Sequence, residues 1–220
     1  MKQLKKRARR SPAPDGATEQ RILDAAHAVF LRRGTAGARM QEIAADAGVN
    51  QALLHYYFRS KERLSQAAFE RAAMQLMPAV VNVLSSGADL EDKVRAVIEL
   101  ELDHLSRSPY LPGYVISELT HHPERVRQLI TAISGMTPED IRPRVVATLA
   151  AQIQARARRG LMRPIAPEQF IVNLMSLCIF PFAARPMIAA LLGLDQHDFE
   201  RFIAERRVDL PSFFLGALRP

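Results

Sequence analysis

Residues 40–61 constrain this chain more tightly than any other stretch. They read Met40-Gln-Glu-Ile-Ala-Ala-Asp-Ala-Gly-Val-Asn-Gln-Ala-Leu-Leu-His-Tyr-Tyr-Phe-Arg-Ser-Lys61. Met40, Ile43, Ala44 and Ala47 recur at helical spacing and form one face of a short helix. Gly48 tolerates positive φ, so it can end that helix and turn the chain sharply. Asn50 carries the side-chain oxygen that an N-cap needs, and a second short helix is predicted from Gln51 to about Phe58. Helix, glycine turn and capped helix make a helix-turn-helix, the device that lays its second helix in the DNA major groove.

The second helix has two faces. At 100° per residue, Leu53, Leu54, Tyr57 and Phe58 share an arc that should pack on a core. Gln51, Ala52, His55 and Tyr56 share the opposite arc, with groups able to read base edges or bond phosphates. An ordinary solvated face on a helical hairpin is the plainer alternative. Asn50 is expected beside a backbone phosphate, and Leu53 lies between the two arcs. Ser60 is predicted to cap the next helix. Lys61 then sits at the positive end of a helix dipole, which makes sense if an anion binds there. Arg39, at the start of the first helix of the pair, suits a phosphate contact, or is simply an exposed arginine.

This stretch resembles the TetR family of transcriptional regulators. The matching residues are Ile43-Ala-Ala-Asp-Ala-Gly-Val-Asn50, Leu54-His-Tyr-Tyr-Phe58, Ser60-Lys-Glu62 and Leu64, and the resemblance extends over residues 18–64. Asn50 stands where serine is usual, which keeps the cap, and His55 stands where tyrosine is usual. The resemblance implies that Lys61 holds a phosphate. It also implies a homodimer on a palindromic operator, most often acting as a repressor, and a small-molecule effector that releases DNA.

Charge supports a polyanion partner at one end only. The net +7 divides into thirteen Lys/Arg against six Asp/Glu in residues 1–65 and seventeen of each in residues 66–220. A helical adaptor whose helix-turn-helix no longer binds DNA is the rival reading, and it gives no reason for that division. The basic arm 1–17 has nothing with which to build a core and is expected to be disordered. It either follows phosphates or is a solvated tail. The single cysteine, Cys178, excludes an intrachain disulfide, suits a cytoplasmic location and reads as a buried, inert thiol. No secretory signal or membrane-spanning helix is predicted.

Three regions follow: the arm 1–17, a DNA-binding domain 18–65 and a helical effector-binding and dimerisation domain 66–220. Beyond residue 65 only helical periods appear, so the expected fold is all-α. Pro78 is expected to kink the fourth helix, and Pro181 and Pro186 to interrupt the apolar stretch 170–192. That stretch is hydrophobic almost all round and asks for a partner. An interface within about 167–215 is expected, with Phe170, Leu174, Leu177 and Phe182 at its centre. Members of the family pair through their last two long helices, which these residues occupy. Met74, Met77, Leu102, Tyr110, Tyr114, Met136, Met175 and Phe180 are the candidates for an apolar effector pocket. No catalytic set, metal-ligand spacing or cofactor motif is apparent. His121 and His122 are adjacent in a loop, which does not suit a shared metal.

Overall fold

The computed structural model describes residues 16–121 and 126–220. Most of the basic arm, the expected break at His122 and Pro123, and the Tyr114 side chain lie outside the described residues. Among those described, every regular element is a helix. The chain divides into two compact units between Ala68 and Phe69, inside the fourth helix.

The first unit contains α1 (Gly16–Gly37), α2 (Met40–Asp46), α3 (Gln51–Phe58) and the start of α4 (Lys61–Ser85). α1 runs to Gly37, and Gly34 breaks its regularity with φ 68° and ψ 166°. Glycine alone adopts that combination without strain. α1 packs on α2, and α2 on α3. Ile22, Ala26, Val29, Phe30, Ile43, Leu54 and Leu64 are at most 1% exposed, Ile43 and Leu54 on the apolar faces that the spacing predicted. Pro78 lies inside α4 without ending it.

The second unit contains the rest of α4, then α5 (Leu90–Arg107), α6 (Leu111–His121), α7 (Val126–Ser134), α8 (Pro138–Arg158), α9 (Pro167–Ala183), α10 (Arg185–Leu192) and α11 (Gln196–Gly216). α5 lies against α8, α9 and α11 and is the buried centre of the unit. Its N-terminus is tied down by Lys93, fully buried, whose ammonium donates to Leu84 O and Gln152 Oε1, each at 2.9 Å. Thr137 and Asp140 form a capping box at the start of α8.

α9 and α11 run antiparallel. Phe170 meets Phe214 edge-on at 5.1 Å, and Phe182 meets Phe199 at 6.0 Å. Between those pairs, Arg206 donates from Nη2 and Nε to Leu177 O at 2.9 and 3.2 Å. This bond explains why Pro181 does not interrupt α9 as expected. Proline has no N–H, so the carbonyl four residues back is left without its helical partner. That carbonyl is Leu177 O, and the Arg206 guanidinium supplies the missing donors. The chain bends instead at Ala184, by 72° between α9 and α10, and Pro186 opens α10. No single helix among the described residues is long and apolar enough to cross a membrane. α11 likewise continues through Pro211.

Replacing Arg206 by Met should destabilise the second unit by about 1–3 kcal/mol, the usual cost of an unsatisfied buried acceptor. Pro181→Ala in the same chain should recover most of the loss, because alanine restores the N–H. Denaturant unfolding of the two single variants and the double variant reads the coupling. Strictly additive effects would contradict it.

Candidate nucleic-acid interface

The turn before α3 is built as glycine allows. Ala47 N–H donates to Ile43 O at 2.9 Å, and Val49 N–H to Ala44 O at 3.0 Å, with Gly48 at φ +64° between them. Asn50 then caps α3, its Oδ1 accepting from Leu53 N–H at 2.8 Å. With both ends fixed, α3 presents one face inward. Leu54 is 0% and Phe58 6% exposed, whereas Leu53 and Tyr57 are half-buried. Gln51, Ala52, His55 and Tyr56 are exposed side by side. Tyr56 stands edge-on to Tyr57 at 5.7 Å, which limits its swing.

The cations around α3 separate into two groups. Arg32 Nη2 bonds Asp46 Oδ2 at 2.5 Å and Glu42 Oε1 at 3.4 Å, and Arg33 lies 3.7 Å from Glu42. These pairs join α1 to α2 and use both acids of α2. Arg39 is exposed at the N-cap position of α2 and contributes no side-chain cap. Among the described residues, neither Arg39 nor the exposed Arg59 and Arg63 forms an ion pair. Lys61 Nζ donates to Ala36 O at 2.7 Å. It therefore ties the start of α4 to the end of α1, and two of its three protons remain for another acceptor. Ser60 Oγ accepts from Arg63 N–H at 3.3 Å. Backbone and Ser60 hydrogen bonds at this helix end hold the Glu62 carboxyl below its ordinary value.

Arg59 and Arg63 are additions to the residues singled out from the sequence. No sequence signal marked Arg59, yet among the described residues it is the non-glycine residue with positive φ, at 56°, just after α3. The charge division also takes a more local form. Residues 1–15 hold six Lys/Arg and one Asp, so five of the seven excess positive charges belong to the arm, outside the described residues.

In the second unit the expected sites disperse. Phe170, Leu174 and Phe182, placed at an interface from the sequence, are 0%, 0% and 5% exposed and fill the unit's own core; Leu177 is half-buried. The exposed apolar face of α9 and α11 is instead Val172, Phe180, Val208 and Phe213, between 54% and 75% exposed. Phe180 thus belongs to an outer face, not to a pocket, and Met74 is also 54% exposed. Leu102 is core, while Met77, Tyr110, Met136 and Met175 are partly buried against it. Burial pushes the Tyr110 phenol up to about 12, against an opposing effect of Arg71. None of the seven whose side chains are described lines a described cavity; one of about 310 Å³ is bounded by Leu177, Phe202, Glu205, Arg206, Asp209, Leu210 and Phe213.

One polar group in this core is anomalous. Glu101, at mid-α5, is 1% exposed, its Oε1 has no hydrogen-bond partner, and burial pushes its carboxyl up to about 7. Cys178 is fully buried, and its thiol is pushed up to about 12 by burial and then by the charge of Glu101. A thiol held protonated in this way is unreactive.

With this geometry in hand, known proteins of similar sequence and fold can be compared. The family described as bacterial regulatory proteins, tetR family, matches residues 22–68. The HTH-type transcriptional repressor NicS of Pseudomonas putida is 28% identical over 184 residues, 82% of this chain and 83% of NicS. The probable HTH-type transcriptional regulator YttP of Bacillus subtilis is 23% identical over 205 residues, 90% and 94% of the two chains. Among solved structures, the fatty acid degradation regulator FadR of Bacillus halodurans has the same fold, with a TM-score of 0.58 at 16% identity over 92% of this chain and 97% of that one.

Proposed function

Because this chain belongs to the TetR family of bacterial regulatory proteins, we propose that its DNA-binding activity rests on α3 and takes the form of a homodimer gripping a palindromic operator. The observation that carries this reading is the exposed arc of Gln51, Ala52, His55 and Tyr56 on a helix capped at one end and anchored by Leu54 and Phe58 beneath. Gln51 and His55 face base edges, with Ala52 and Tyr56 alongside. Leu53, half-buried, borders the groove. Arg39, Asn50 and Lys61 face backbone phosphates, and Arg59 and Arg63 join them. Second copies meet through the exposed faces of α9 and α11, which sets two α3 helices about one DNA turn, or a multiple of it, apart.

The protein represses transcription from the cytoplasm, carries no enzymatic activity and releases its operator when a small apolar effector occupies the second unit. Glu101 is the buried polar group that such an effector would satisfy. NicS, named a repressor, supports this direction of control.

The test is operator binding read by fluorescence anisotropy across a salt series. Gln51→Ala should relax the preference at one position of each half-site and cost about 1–3 kcal/mol there. Lys61→Met should weaken binding to all duplexes alike and lower the slope of log K against log salt by about one. Two variants that bind like the parent would remove α3 and α4 from the interface.

A further inference from the structure

Arg59 occupies a backbone region that residues with a side chain rarely hold, at φ 56° and ψ −40°. Such strain persists only where the surroundings over-determine it. Here two hydrogen bonds tie Arg59 to one residue, His55. Arg59 N–H donates to His55 O at 2.9 Å, and the His55 ring reaches back with Nδ1 3.1 Å from Arg59 O. The two residues are four apart, so the imidazole lies over the last turn of α3 and holds the Arg59 peptide from both sides.

That contact decides the ring's chemistry. A carbonyl oxygen only accepts, so Nδ1 must carry the proton. In the neutral ring Nε2 is then an acceptor. His55 is exposed on the same arc as Gln51, Ala52 and Tyr56. While the ring is neutral, its remaining nitrogen has a lone pair to offer and no proton. A phosphate cannot use it, and neither can the O6 and N7 acceptors of guanine or the O4 of thymine. The groups that fit are the exocyclic amino groups of adenine and cytosine in the major groove.

We propose that His55 selects an amino base, adenine or cytosine, at one position of each half-site by accepting through Nε2, its tautomer set by the Nδ1–H bond to Arg59 O. The proposal rests on the reading of α3 as the groove helix and assigns that helix one of its specificities. The same bond makes His55 the positioning residue for the Arg59 backbone just after α3.

Two measurements test it. The ¹⁵N shifts of the His55 imidazole in the free protein, at about pH 8, should show the Nδ1–H tautomer. The Nε2–H tautomer would overturn the proposal, whatever DNA does. Then sequences bound by the parent and by His55→Lys should be selected from one random duplex pool. Lysine has donors and no acceptor, so one position per half-site should change from adenine or cytosine to guanine or thymine, the others staying as they were. A variant that selects the parent's bases at every position overturns the proposal and leaves the groove reading standing. A parent that selects no sequence overturns both.

Discussion

Replacing Glu101 by Gln should stabilise the protein by about 3 kcal/mol near pH 8 and by almost nothing near pH 4.5. Glu101 is 1% exposed, and burial is the cause of its shift. Its folded value, about 7, lies above the ordinary 4.5. The native state therefore favours the protonated acid. Stability from this group is fully present below about pH 4.5 and is lost as pH rises through about 7. Above that, folding must bury a charge. The gap of about 2.5 units corresponds to about 3 kcal/mol. Glutamine has nearly the same shape and no charge, so the difference between variant and parent isolates Glu101 from every other carboxylate. Urea unfolding of both proteins between pH 4.5 and 8.5 gives the curve. A difference that does not change with pH would mean that Glu101 is paired or solvated in the native protein. A buried carboxylate this costly breaks the rule for a well-packed core, which is the mark of a group with a role, and it sits in the unit proposed to take an effector.

The second large effect concerns assembly. Phe180→Glu together with Val208→Glu should convert the proposed homodimer to a monomer at micromolar concentration while leaving each chain folded. Both side chains are exposed, 54% and 75%, so the substitutions cost the isolated subunit little. In a twofold interface each appears twice, placing four new carboxylates in one buried patch without partners. Operator affinity should fall by about 10²–10⁴, the advantage that linking two half-site readers confers. Sedimentation reads the mass and anisotropy reads the affinity. An intact dimer would move the interface away from α9 and α11. Phe170→Glu is the informative contrast: Phe170 is fully buried against Phe214, so it should unfold the second unit instead of splitting a dimer.

Those two substitutions show where sequence reading succeeds and where it stops. On α3, polar and apolar residues alternate in arcs, and spacing alone separates buried Leu54 and Phe58 from exposed Gln51, His55 and Tyr56. On α9 nearly every position is apolar. Periodicity then gives a helix but not its orientation, so Phe170 and Leu174 could not be told from Val172 and Phe180. The all-helical architecture was legible because no period-two pattern competes with the helical one. Proline misled at Pro181, because the donor that replaces its missing N–H comes from Arg206, 29 positions beyond Leu177. A rescue so distant leaves no local trace. Arg59 was missed for a related reason: positive φ is ordinarily signalled by glycine or asparagine, and here an arginine holds it, with the His55 ring against its carbonyl. Lys61 was legible as a residue at a helix start. Its bond to Ala36 O was not, since that contact exists only once α1 has run past Gly34.

The central claim is that α3 lies against bases, presented twice by a symmetric pair. Selection of bound duplexes from a random pool by the purified protein tests it most directly. The account predicts an inverted repeat of two half-sites, with binding that weakens steeply as salt is raised. Failure to retain any duplex, even at low ionic strength, would contradict it.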